Sequence, residues 1–204
     1  MEYFNFIPEG WIETKENYSL DDIKNAYKKG KILQGFVEKC DFEFNLHVRL
    51  GDDILGIIPR DEIDLFGTDE YGLTKSSICK SKEHTFIQFK IKDILDDKIV
   101  LSRKKASQDT LNWFIKNLDS GMIVRGIVKN IRKYGAFIEI GAGIVGLLHI
   151  EDISVSRIKS PEERFQVGQK IDVIIKEIDK NNNQIVLTYK ELFRKLGRKR
   201  KNSK

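Results

Sequence analysis

The run Arg132-Lys133-Tyr134-Gly135-Ala136-Phe137-Ile138-Glu139-Ile140-Gly141 decides the reading of this 204-residue chain. Glu139 between Ile138 and Ile140 gives the period of two that a half-buried β-strand shows. Ala136, Ile138 and Ile140 then share the core face. Phe137 shares the other face with Glu139, on the side that the pattern marks as solvent. A large ring there, beside Arg132 and Lys133, supplies what a single-stranded nucleic acid needs: a surface on which a base stacks, and cations for phosphate. A covering loop would also explain one such aromatic. The neighbours of Phe137 favour the stacking surface.

Working outward, the chain is longer than one small barrel requires and fits two domains of ordinary size. Hydrophobic residues make up 40%, enough for ordinary cores. No apolar run approaches the roughly 18 residues of a membrane span. Met1-Glu2-Tyr3-Phe4-Asn5 does not open a basic-then-apolar export signal, so the expectation is a cytoplasmic protein with no membrane partner. Cys40 and Cys79 show no paired spacing and read as reduced thiols. The net charge of +5 is unevenly divided: from Gly121 onward 18 Lys/Arg face 9 Asp/Glu (+9), and the first 120 residues hold 18 against 22 (−4). One half suits a polyanion and the other does not.

In chain order, Phe4, Phe6, Ile7 and Trp11, interrupted by Pro8 and Gly10, predict an arm that packs its aromatics on a first barrel. Ser19-Leu20-Asp21-Asp22 has capping-box form, with Leu20, Ile23 and Tyr27 at helical spacing and Gly30 as the stop. That helix is expected to plug the open end of the barrel. Strands are predicted at 32–37, 44–50, 54–58, 86–91 and 99–102, with Asp52-Asp53 and Asp96-Asp97-Lys98 as turns. Leu65 to Lys82 is long for a loop and should have structure of its own, with an extra strand expected near Gly72 to Cys79. Leu111, Phe114, Ile115 and Leu118 then mark a boundary helix that caps a second barrel. After Leu192 the chain is a basic tail, expected to be disordered.

The two strand regions repeat. Gly35 matches Gly126, Val37 matches Val128, Gly51 matches Gly141, and Gly56-Ile57-Ile58 matches Gly146-Leu147-Leu148. Asp61-Glu62-Ile63 falls on Glu151-Asp152-Ile153. The fold class that follows is all-β: two five-stranded barrels in tandem, with short capping and linker helices. The expected boundaries are an arm and helix at 1–29, barrels at 30–104 and 121–192, a linker helix at 105–120 and the tail at 193–204. Glycines recur where a strand must bend to close a small barrel.

The second unit resembles the S-one RNA-binding domain family, through Gly126-Ile127-Val128, Tyr134-Gly135-Ala136-Phe137, Gly146-Leu147-Leu148-His149-Ile150, Val167-Gly168-Gln169 and Ile185-Val186-Leu187-Thr188. Over the whole chain the resemblance is to short two-domain clostridial homologues of the largest protein of the bacterial small ribosomal subunit. It implies a barrel of the oligonucleotide/oligosaccharide-binding (OB) type whose second and third strands face the ligand. It further implies two stacking aromatics at Tyr134 and Phe137, a histidine at His149 and an acidic residue at Asp179. The family's basic residue before the fifth strand is here Gln184, with Lys180 as a substitute. Lys129, Arg132 and Lys133 would supply the backbone contacts.

At the places of Tyr134, Phe137, His149 and Lys129 the first unit has Phe44, His47, Pro59 and Glu38. It should therefore bind RNA poorly and serve instead as a protein contact. Asp52, Asp53, Asp61, Glu62 and Asp64 read as a solvated acidic face rather than a metal site. No nucleophile elbow, phosphate-cradling glycine loop or acid pair stands out. The resulting expectation is a non-catalytic protein, without cofactor or metal, that binds single-stranded mRNA or rRNA and associates with the ribosome. A protein–protein adaptor and an accessory subunit in RNA degradation are the alternatives.

Overall fold

Alternating aliphatic residues close each strand region on itself, giving two five-stranded barrels in a chain whose computed structural model describes residues 7–12, 17–95 and 98–192. The expectations for Phe4 and Phe6 and for the basic tail lie outside the described residues. The first barrel comprises β1 (Leu33–Cys40), β2 (Leu46–Arg49), β3 (Leu55–Ile58), β4 (Phe86–Leu95) and β5 (Lys98–Ser102), in the order β1-β2-β3-β5-β4. Parallel pairing of β3 with β5 closes it. Ahead of it, α1 (Leu20–Lys29) begins at a complete Ser19–Asp22 capping box and ends at Gly30, which has a left-handed φ of 59°. Ile23 and Ala26 enter the barrel core with Val37, Val48, Phe89 and Leu101, whereas Leu20 and Tyr27 of the expected apolar spacing stay exposed, so the buried face is centred on Ile23 and Ala26 instead.

The β3–β4 connection does have structure of its own, but not the extra strand. A single bridge joins Thr68 to Thr74, and α2 (Ser76–Ser81) follows. The Asp69 carboxylate accepts the N–H groups of Tyr71 and Leu73, which tightens the segment into a loop before a strand can extend. Cys79 is buried beneath this loop, and burial pushes its thiol up to about 11, as befits an unreactive packing residue.

The second barrel repeats the plan with β6 (Ile123–Arg132), β7 (Gly135–Gly141), β8 (Ile144–His149), β9 (Lys170–Asp179) and β10 (Gln184–Thr188), closed by parallel β8–β10 pairing. Its core takes Val128, Ala136, Ile138, Leu148, Val173 and Leu187, all fully buried. A Cβ on Gly146 would lie 2.8 Å from Leu187, and one on its counterpart Gly56 would lie 2.5 Å from Leu101. The repeated glycines thus serve the same close approach across both barrels. Two compact units divide between Thr110 and Leu111, inside α3 (Arg103–Asn117). Leu111, Phe114 and Leu118 are buried.

The arm departs from expectation: its described residues up to Trp11 belong with the second barrel, not the first. Glu139 lies on the outer side of β7 as its alternation predicts, yet it is only 1% exposed. Its carboxylate accepts the Glu9 N–H at 2.9 Å and the Gly143 N–H at 3.0 Å. The Arg125 guanidinium sits over the Trp11 ring at 5.7 Å, and Lys129 Nζ reaches the Glu9 carbonyl at 3.5 Å. An outward carboxylate therefore anchors the arm through backbone donors, which makes its burial affordable.

Candidate nucleic-acid interface

The interface is built on the β6–β7 hairpin. Arg132 pairs with Gly135, leaving Lys133 and Tyr134 as the two-residue turn. A Cβ on Gly135 would meet the Leu148 carbonyl at 2.6 Å, so only glycine lets β8 approach here. That approach pairs Gly135 with His149 and lets the Ile150 N–H donate to the Tyr134 carbonyl at 2.9 Å. Tyr134 and Phe137 meet edge to face, with centroids 6.1 Å apart and planes at 84°. Tyr134 is 51% exposed and Phe137 is half-buried. Cross-strand pairing extends a half-buried outer row from Phe137 through Leu147 to Val186.

His149 caps α4 (Ile150–Ile153), its Nδ1 accepting the Glu151 N–H at 3.4 Å. Beneath it, Asp152 pairs with Lys176 at 2.6 Å and with Lys190 at 3.0 Å. Burial pushes the Asp152 carboxyl up, but the hydrogen bonds from the two lysines outweigh burial and hold it below the ordinary carboxylate range. This clamp fixes the short helix that His149 begins. Sequence reasoning matched Asp152 to Glu62 but missed the clamp. The bulges that Lys92 and Lys176 occupy at the same register would have revealed it only with strand pairing known.

The structure places Tyr134 in the β6–β7 turn, Phe137 on β7 and His149 at the end of the adjoining β8, opposite Gly135. Arg132 and Lys133 are exposed at the hairpin end. Lys129 occupies the β6 bulge and turns to the arm. Asp179 is committed to its own turn: one oxygen accepts the N–H groups of Asn181 and Asn182, and the other accepts the Asn182 side-chain amide at 2.7 Å. Those hydrogen bonds, the Asn182 side chain first, lower its pKa. Lys180 is exposed in the same turn, and Gln184 faces Asp179 across it. Trp11 and Arg125 adjoin this face but gave no sequence signal of doing so, and Glu139, which alternation placed on it, gave no signal of its burial.

Two of the acids read as a solvated face are instead internal partners: Glu62 pairs with Lys92, and Asp64 with the buried Arg103 at 3.1 Å. No group of three or more potential metal ligands occurs among the described residues.

This geometry coincides with a family match. Residues 118–190 match the S1 RNA binding domain, the S-one family of the sequence reading, so the second barrel is an S1-type OB domain. The chain as a whole is 31% identical over 186 residues to the small ribosomal subunit protein bS1 of Neisseria meningitidis, covering 89% of this chain and 30% of that protein. It is also 29% identical over 200 residues to a protein named 4-hydroxy-3-methylbut-2-enyl diphosphate reductase from Clostridium acetobutylicum, again 89% of this chain and 30% of the other. A crystal structure of a multidomain protein with nucleic acid binding domains from Streptococcus pneumoniae overlaps 87% of this chain and 54% of its own, at 14% identity and a TM-score of 0.38. The chain spans about 30% of the length of the curated relatives it matches. No helix among the described residues is long and apolar enough to cross a membrane.

Proposed function

We propose that the second barrel holds single-stranded RNA, with bases stacked on Tyr134 and Phe137, His149 beside them, and Arg132 and Lys133 on phosphates. The paired rings on the outer wall of an S1 barrel, with cations one turn away, carry this reading. Lys180 and Gln184 extend the polar edge, and the exposed Lys129 adds a further cation beside it. Asp179 supports the turn that presents them. The similarity to bS1 supports a place in translation, on mRNA or rRNA. The protein works by binding and catalyses no reaction. A short labelled RNA titrated into wild type and Phe137→Ala tests it. Stacking contributes roughly 1–3 kcal/mol per base, so the variant should bind about 5- to 150-fold more weakly. Equal affinities would refute the assigned face.

The first barrel supports a second, separate role as a protein contact. Phe42 is 103% exposed, and Phe66 and Tyr71 are 63% and 80% exposed. Pull-downs with and without nuclease separate the two roles: partners that survive nuclease and depend on Phe42 support it.

A further inference from the structure

The connection that leaves α4 curls round a concavity of about 520 Å³. Ile150, Val155 and Ile158 supply apolar walls, Ser154 and Ser156 supply hydroxyls, and Glu151 and Arg157 stand at the rim. We propose that this concavity is a subsite for one further nucleotide, continuing the strand past His149. The proposal rests on the RNA reading of the second barrel.

Place, size and chemistry each support it. The wall of the concavity begins with the two residues after His149: the Ile150 N–H is tied to the Tyr134 carbonyl, and the Glu151 N–H to His149 Nδ1. The hollow therefore begins with the residues that directly follow His149, whose strand position pairs with Gly135 of the hairpin. The volume falls within the roughly 300–1,000 Å³ of ordinary small-molecule sites, enough for a nucleotide. Val155 is 66% exposed, an apolar surface that a base plane would cover. The exposed Arg157 presents a planar fork suited to phosphate. A second hollow of about 380 Å³ shares Ser154, Val155 and Ser156 but is backed by Arg164 and Tyr189. Only the first is lined by Ile150 and Glu151, the residues that follow His149.

The rim also carries a preference. The Glu151 side chain is 83% exposed, and as a carboxylate it accepts hydrogen bonds but does not donate them. Cytosine, adenine and guanine carry an exocyclic amino donor, whereas uracil offers only its ring N–H, so the subsite favours amino-bearing bases over uracil.

Fluorescein-labelled oligocytidines of two nucleotides, which the ring pair alone fills, and of about six, which reach past it, test the subsite against wild type, Phe137→Ala, Arg157→Ala and Val155→Asp. The two loop variants change exposed side chains, and circular dichroism checks their fold. Each should bind the longer RNA about 5-fold more weakly and the shorter one unchanged, while Phe137→Ala weakens both. Glu151→Gln should narrow the preference for oligocytidine over oligouridine. Equal losses on both lengths would mark a general charge effect and overturn the subsite. So would unaltered binding of the longer RNA by both loop variants. Loop-dependent binding that ignores Phe137→Ala would uphold the subsite and overturn the stacking pair instead.

Discussion

The two barrels share a plan and differ in what the outer wall presents. In the first, Lys39 pairs with His47 and His47 with Ile57; in the second, Asn130 pairs with Phe137 and Phe137 with Leu147. His47 therefore stands in the place of Phe137, and Nε2 of His47 lies 3.0 Å from Asp41. Phe44 stands in the place of Tyr134, covered by Arg60 at 5.1 Å and Lys80 at 5.7 Å. The cations that could meet phosphate are thus spent on a ring that could meet a base. Glu38 occupies the bulge that Lys129 occupies, and it pairs with Arg49. Where the second barrel has the arm-binding Glu139, the first has Arg49. A duplicated scaffold keeps its glycines and its acid–lysine clamp while its outer residues are free to diverge, because only the former are held by closure of the barrel.

The comparison is broken most directly by exchanging rings for methyls. Phe137→Ala should cost about 1–3 kcal/mol of RNA binding, and His47→Ala should cost none, as measured by titration of the full chain. A Phe137→Ala loss matched by His47→Ala would erase the distinction between the barrels.

The clamps give the next largest effect, on stability. Asp152 is buried and its Lys176 partner half exposed, so Asp152→Asn should lie between the buried and surface limits, about 2 kcal/mol. Glu62→Gln should weaken the first barrel in the same way. The folded-state pKa of Asp152 is depressed, so its contribution is full above the ordinary carboxylate value of about 3.9 and is lost as pH falls through the folded value. Thermal melts from neutral to acid pH should show wild type and Asp152→Asn converging at the acid end. A constant gap would count against the clamp.

Smaller still is the loss of the hairpin cations. Arg132→Ala with Lys133→Ala should reduce the slope of log affinity against log salt by about 1–2, since each phosphate contact adds about 0.7 on a single strand. The smallest effect sharpens the comparison from the other side. Glu38→Lys, His47→Phe and Arg49→Glu together should give an isolated loss-of-Phe137 background a fewfold gain in RNA binding, limited by the covered Phe44. No gain would show that the loop over Phe44, rather than residue identity, silences the first barrel.

Much of this was legible in the residues. The repeat placed Gly35 on Gly126 and His47 on Phe137, and strand pairing has the same register. The capping box and Gly30 bounded α1, but of its expected apolar residues only Ile23 is buried. Alternation put Phe137 outside the core. The extra strand failed because Asp69 closes a loop by side-chain hydrogen bonds that periodicity does not register. The arm failed because its affinity is for one carboxylate and one guanidinium far along the chain, Glu139 and Arg125.

Local pattern determined the barrels, their duplication and the outward ring, since alternation and glycine spacing act within a strand and its turn. Tertiary structure alone decided which outer residues stay open. Glu139 is buried and Phe44 is capped while Lys129 stays exposed, because coverage depends on what distant backbone donors and cations reach. A sequence records the faces a strand can offer, and long-range packing selects the ones left to a ligand.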